Sequence, residues 1–365
     1  MARDGAARSG VLRTAHGDVH TPAFMPVGTH ATVKACHPAE VREAGAEIIL
    51  ANAYHLALRP GVELVERAGG LHRFMGWDGP ILTDSGGFQL ISLKAMATVD
   101  EDSATFISPY NGARLRVTPA EAVTMQVRLG ADILMCLDHP AAWDAPPMAI
   151  REATARTHLW AERCRAAHPG GAQLLFGIVQ GGFDVGLRGE SARMISSLDF
   201  DGIAIGGLSV GEPLDVMAAM TLASLAGMPE ERPRYFMGLG TDLELLHMVA
   251  LGVDMFDCVV PTRLARTGVA MTRSGRLSLR TAPMREDLRP VDEGCQCVCC
   301  RDFSRAYLRH LFGAGEILGH RLLSIHNIAH LCGLMAKARA AIAAGTFSSH
   351  RAEVEARMMP ATAGA

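Results

Sequence analysis

Four of the nine cysteines in this 365-residue chain fall within six positions, at Cys295, Cys297, Cys299 and Cys300. In a reducing compartment a cluster this dense reads as metal ligation before it reads as disulfides. Cys295, Cys297 and Cys300, joined by His326, offer three soft thiolates and one imidazole. That closed four-donor set is the pattern of a structural Zn²⁺ site rather than a catalytic one. Cys299 is the alternative to Cys300 as third thiolate, although adjacent residues rarely aim at the same ion.

Three aspartates form a second constellation. Asp84 stands directly before Ser85-Gly86-Gly87, whose glycines let backbone N–H groups approach a ligand. Asp138 closes the apolar run DILMCLD, and Asp257 sits inside MFDCVVP. An unpaired carboxylate in such a strand costs several kcal/mol unless a partner or a function accounts for it. Paired carboxylates at one mouth suit chemistry at a sugar anomeric carbon, where one attacks and the other manages protons. On residue types alone a retaining glycosidase fits equally well.

A third feature is charge. Residues 261–310 carry ten arginines, no lysine and five acids, a local balance of +5 in a chain whose net charge is −3. Arginine grips phosphate bidentately, so this face either meets a polyanion or is a solvated surface paired with Glu286, Asp287 and Asp302.

These residues need a scaffold, and the sequence supplies one. Hydrophobic residues make up 49% and charged residues 20%, enough for a well-buried core. No run approaches membrane-spanning length and the N-terminus has no signal-peptide core, so a soluble, intracellular protein is expected. Eight short apolar runs bounded by glycine, proline or polar residues predict strands at 22–28, 46–52, 79–84, 131–138, 174–180, 202–207, 234–239 and 255–260. Amphipathic stretches predict helices at 119–130, 150–168, 213–226 and 242–251, the first with Thr118 as N-cap and Pro119 at its first position. Hairpins are expected around Asn111-Gly112 and Ser274-Gly275, a helix at 328–344, and a frayed end at 358–365. Alternating strands and helices point to a (β/α)₈ barrel; an open doubly wound sheet ranks second, since no dinucleotide fingerprint follows the first strand. The strand ends carry Asn52, Asp84, Asp138, Gln180, Gly206-Gly207 and Asp257, and a barrel enzyme builds its site on that face.

Long stretches of the chain resemble the tRNA-guanine transglycosylases. They are TPAFMPVGTHATVK from residue 21, ANAYHLALRPG from 51, LTDSGGFQ from 82, GIVQGG from 177, GIAIGGLSVGE from 202, RYFMGLGT from 234 and MFDCVVPTRLAR from 255, with the cysteine–histidine set beside them. The resemblance implies an irregular TIM barrel with a C-terminal zinc-binding insertion. It implies one catalytic domain over 11–345, a zinc subdomain at about 290–330 and a tail at 346–365. Asp257 would be the nucleophile at ribose C1′ of the wobble guanosine, forming a covalent aspartyl–tRNA ester, and Asp84 the acid and base at the exchanging purine. Ser85, Asp138, Gln180, Gly207 and Leu208 would bind the base edge, and Phe88 and Met237 its faces. Arg263 and Arg266 would grip the anticodon loop of tRNAs with GUN anticodons (those for Asp, Asn, His and Tyr). Zinc would be structural, one per chain, and the enzyme a cytoplasmic homodimer. A non-catalytic partner subunit is disfavoured, since both aspartates are present. After Asp138 the bacterial members usually have Glu-Cys, and here His139-Pro140 stands instead. The expected incoming base is 7-aminomethyl-7-deazaguanine (preQ1), with queuine as the alternative. Val210 would crowd queuine's larger substituent, and Glu212 with the Leu208–Ser209 backbone would be available to an ammonium.

Overall fold

The computed structural model describes residues 1–92 and 96–358. Eight strands form one sheet: β1 Ala23–Pro26, β2 Ile49–Asn52, β3 Ile81–Asp84, β4 Ile133–Met135, β5 Leu174–Val179, β6 Gly202–Ile205, β7 Arg234–Phe236 and β8 Met255–Cys258. Their order is β1-β8-β7-β6-β5-β4-β3-β2, and every pairing is parallel. A bridge between Val27 and Leu50 joins the two ends and closes the barrel. The eight expected strands are all present, each one to five residues shorter than the apolar run that contains it. The open-sheet alternative is excluded.

Side chains alternate across a strand, so one set fills the barrel and the other meets the helices. Leu50, Leu82, Ile178, Ala204, Tyr235 and Met255 belong to the inner cluster, together with Met25, Ile133 and Phe176. Two residues further along each of those strands stand Asn52, Asp84, Gln180, Gly206, Met237 and Asp257. Period two therefore carries the inner face upward from packed apolar layers to a polar rim at the C-terminal mouth.

Helices hold these strands by ordinary local chemistry. The Pro119–Leu129 helix starts at a capping box in which Thr118 and Glu121 satisfy each other's backbone N–H groups, and it stops at Gly130 in the left-handed conformation. Helices at Pro147–Ala167, Leu214–Leu225 and Asp242–Ala250 match expectation closely. The helix expected at 328–344 begins earlier and spans Ile317–Ala344. Among the described residues no helix is long and apolar enough to cross a membrane.

Regular elements run past both expected chain limits. The start near residue 11 falls inside the Ala7–Thr14 strand, and buried Arg8 pairs bidentately with Asp254 beneath β8. The expected tail is largely a helix, Phe347–Met358, with Phe347 and Val354 buried and the Phe347 N–H donating to Asp4 at 2.7 Å. Of the frayed end expected at 358–365, residues 359–365 lie outside the described residues.

Candidate active site

Asp84 ends β3 on the inner face. One of its oxygens accepts the Asn52 side-chain amide at 2.8 Å and the other the Gly86 N–H at 3.2 Å. Burial raises its pKa to about 6, and the charge of Asp257 adds to the rise. Among the described residues Asp257, on β8, is held through Oδ1 alone, by the Tyr235 hydroxyl at 2.6 Å and the Gly238 N–H at 2.8 Å. Burial raises its pKa too, while those two donors pull it back down. Fixing Oδ1 leaves Oδ2 as the oxygen free to act on a ligand.

Asp138 lies just past β4 and is 4% exposed, with Oδ2 accepting the Gln180 side-chain amide at 2.7 Å. Burial, with the charge of Asp84, raises its pKa to about 7. Close approach explains the glycines around it. A Cβ on Gly87 would stand 1.8 Å from Asp138 Oδ1, and one on Gly207 2.4 Å from Gln180 Oε1. The buried Ser85 hydroxyl has no hydrogen-bond partner among the described residues, which leaves it for a ligand. Phe88 is 54% exposed at the rim, Met237 is partly buried against the inner cluster and Leu208 is buried.

These groups match the edge of a flat heterocycle: carboxylates for N–H donors, and an amide for a carbonyl. The His139-Pro140 departure lies to one side of them. His139 is tied to the Pro147–Ala167 helix, its N–H donating to Thr157 at 3.0 Å and its ring 2.9 Å from Arg156. Burial, then Arg156, lowers its pKa to about 4, so it is a neutral acceptor. Glu212 is less available than expected, because its two oxygens accept the Ser209 and Val210 N–H groups at 2.6 and 2.9 Å. Val210 is 41% exposed, so it borders the site rather than sealing it.

Sequence reasoning missed Tyr235 as the clamp on Asp257. A tyrosine in the middle of an apolar strand was the available signal, since its buried hydroxyl must find a partner.

The Cys295, Cys297 and Cys300 sulfurs and His326 Nδ1 all lie within 4.8 Å of one another. Cys295 and Cys297 sulfurs are 3.5 Å apart, and the three sulfurs lie 3.7, 3.6 and 3.2 Å from Nδ1. A tetrahedral Zn²⁺ with ordinary bond lengths needs edges of about 3.8 Å between sulfurs and about 3.6 Å from sulfur to nitrogen. The donor set therefore fits a metal ion. His326 Nε2 lies 2.8 Å from the Met271 carbonyl, which fixes the tautomer that exposes Nδ1. Cys299 is fully buried in the neighbouring apolar cluster and outside the set, which decides for Cys300. A second group, His16, His72 and Asp132, sits at the opposite end of the barrel. Its imidazoles stack 3.6 Å apart and each bonds Asp132, so their lone pairs run side by side instead of converging on an ion.

Arg263 and Arg266 lie exposed on the Val260–Arg266 helix, which follows directly on β8 and Asp257. The solvated-surface alternative holds for part of the arginine face, where Arg273 pairs with Asp292, Arg289 and Arg305 with Asp287, and Arg301 with Asp302. Arg263 and Arg266 have no carboxylate partner among the described residues.

The family model described as queuine tRNA-ribosyltransferase matches residues 4–360. The chain is 50% identical to the queuine tRNA-ribosyltransferase of Solidesulfovibrio magneticus over 97% of its own length and 95% of the relative's. It is 49% identical to that of Thiobacillus denitrificans over 98% and 97%, and 51% identical to that of Pelotomaculum thermopropionicum over 94% and 93%. With a closed barrel, a polar mouth and a match over nearly the whole chain, the protein belongs to the queuine tRNA-ribosyltransferase family of tRNA-guanine transglycosylases.

Proposed function

We propose that this enzyme exchanges the wobble guanine of GUN-anticodon tRNAs for preQ1 through a covalent ester on Asp257, in the cytoplasm and as a homodimer. One observation carries the reading: two half-buried carboxylates stand on the inner face, Asp84 feeling the charge of Asp257, and each is held in a different way. Asp257 Oδ2 attacks C1′ of the ribose while the electron pair of the C1′–N9 bond leaves with the purine. Asp84 gives that purine a proton. It then takes the proton from N9 of the incoming base, whose attack on C1′ returns Asp257 as a free carboxylate. One group serving as acid and then base needs a pKa near the working pH, and a value of about 6 meets that need.

Asp138 and Gln180 take the polar edge of the purine, Ser85, Gly207 and Leu208 complete the rim, and Phe88 and Met237 cover its faces. Such packing of flat faces and polar edges is how extruded bases are held. Arg263 and Arg266 contact phosphates of the anticodon loop. Cys295, Cys297, Cys300 and His326 hold one Zn²⁺, which braces the fold and takes no part in the chemistry. The Leu208–Ser209 backbone, backed by Glu212, receives the aminomethyl ammonium of preQ1. Mass spectrometry of a GUN-anticodon tRNA incubated with labelled preQ1 or queuine tests the reading. Incorporation of preQ1 at the wobble position supports it; a large kcat/KM preference for queuine overturns the choice of base, and no exchange overturns the function.

A further inference from the structure

We propose that Arg188 is a positioning residue that polarises the Gly206–Gly207 peptide and so arms the Gly207 N–H as a donor to the carbonyl oxygen of the purine. The inference rests on the base-binding role proposed above for Gly207.

Arg188 is wholly buried on the Val185–Ser197 helix and has no ion-pair partner among the described residues. Its guanidinium goes to neutral groups only. Nε donates to the Gly182 carbonyl at 2.6 Å, Nη2 to the Gly206 carbonyl at 3.0 Å, and Nη1 lies 3.5 Å from the Ser224 hydroxyl. One turn further, Ser191 Oγ accepts the Gln180 N–H at 3.3 Å. A single helix face therefore grips both loops that line the base edge. Burying a cation without a carboxylate is costly, and that cost calls for an account.

The geometry of one peptide supplies it. In a trans peptide the carbonyl and the following N–H point in opposite directions. The Gly206 oxygen faces Arg188 in the interior, whereas Gly207 is half-buried and its N–H has no acceptor among the described residues. The Gln180 amide lies along the same peptide, since a Cβ on Gly206 would be 2.6 Å from its Nε2. A charge-assisted bond at one end of an amide strengthens the donor at the other. Negative charge grows on the purine as its glycosidic bond breaks, and a stronger donor at its carbonyl stabilises that charge.

The test compares inhibition by guanine and by 6-thioguanine, which keeps the N–H edge but replaces the carbonyl oxygen with a weaker acceptor. Labelled-guanine exchange into tRNA is the readout. Wild type should prefer guanine by about tenfold or more, the range of one charge-assisted hydrogen bond. Arg188→Met should cut that preference about fivefold or more and leave the tRNA Kd unchanged, with Arg188→Lys in between. Ser224→Ala, which removes only the structural partner, should keep the wild-type ratio. If Arg188→Met does not fold, Arg188→Lys alone decides. Equal weakening of both inhibitors in either arginine variant makes Arg188 a mere scaffold and overturns the proposal. Wild-type protein that exchanges no guanine would instead overturn the function on which the proposal rests.

Discussion

Asp84 and Asp138 titrate far above the ordinary carboxylate value of 3.8, at about 6 and about 7, chiefly because burial penalises their charged forms. The folded state thus favours their protonated forms. The stability they contribute is fullest below about pH 4 and is lost as pH climbs through 6 and 7. Asp138→Asn removes part of that loss. Its thermal midpoint should exceed wild type by about 2–5 °C near pH 8, and the gap should be clearly narrower at pH 5. Equal gaps at both pH values would show that Asp138 does not titrate in this range. Activity should run the other way: Asp138 must be ionised to accept purine N–H groups, so kcat/KM should rise with pH through an apparent pKa between about 6 and 7. That limb should vanish in Asp138→Asn. Asp257 was legible in the sequence because a carboxylate in an apolar strand demands a reason. Arg188 was not, since nothing in VGLRGESARM distinguishes a buried arginine from a surface one.

Strands were the most legible elements, because short apolar runs bounded by turn residues have few other readings. Period two also placed Asn52, Asp84, Gln180 and Asp257 on one face once their apolar partners at Leu50, Leu82, Ile178 and Met255 were known to point inward. Asp138 escapes that rule: β4 ends at Met135, and the irregular chain after it sets where the side chain goes. The Ala2–Asp4 and Ala7–Thr14 strands and the Phe347–Met358 helix were missed, because their partners lie far off in sequence and local pattern cannot name them. Gly87 gives a test at this scale. With 1.8 Å between a new Cβ and Asp138 Oδ1, Gly87→Ala must move the loop after β3 or the carboxylate. Exchange should fall by about a hundredfold or more while circular dichroism stays that of wild type; near-full activity would show that the loop yields freely. The Cys295–Cys300 segment and the Ile317–Ala344 helix meet through the metal set and the apolar packing beside it. Purified protein should hold about one zinc per chain, and Cys297→Ser should lose metal and thermal stability together. Full stability without zinc would remove the metal from the account.

At the scale of the molecule, a chain of net charge −3 in a family that acts on tRNA has its positive charge concentrated locally. Four arginines of the basic stretch are occupied by acids, whereas Arg263 and Arg266 stand exposed on the helix that follows Asp257. Arg263→Ala should weaken tRNA binding and flatten its salt dependence, by about one unit of log–log slope at most. An unchanged slope would mean the residue faces only water. The sequence located the arginine-rich stretch but left its partner open, because ion pairing depends on which acids fold back against it. All of these features converge on one claim, that tRNA is held on the enzyme by an ester to Asp257 while the purines change places. Wild-type enzyme mixed with a GUN-anticodon tRNA and no incoming base, then denatured, should show an enzyme–tRNA band that hydroxylamine cleaves. Asp257→Asn should bind the tRNA and give no such band; a persistent band from that variant would place the nucleophile elsewhere and contradict the account.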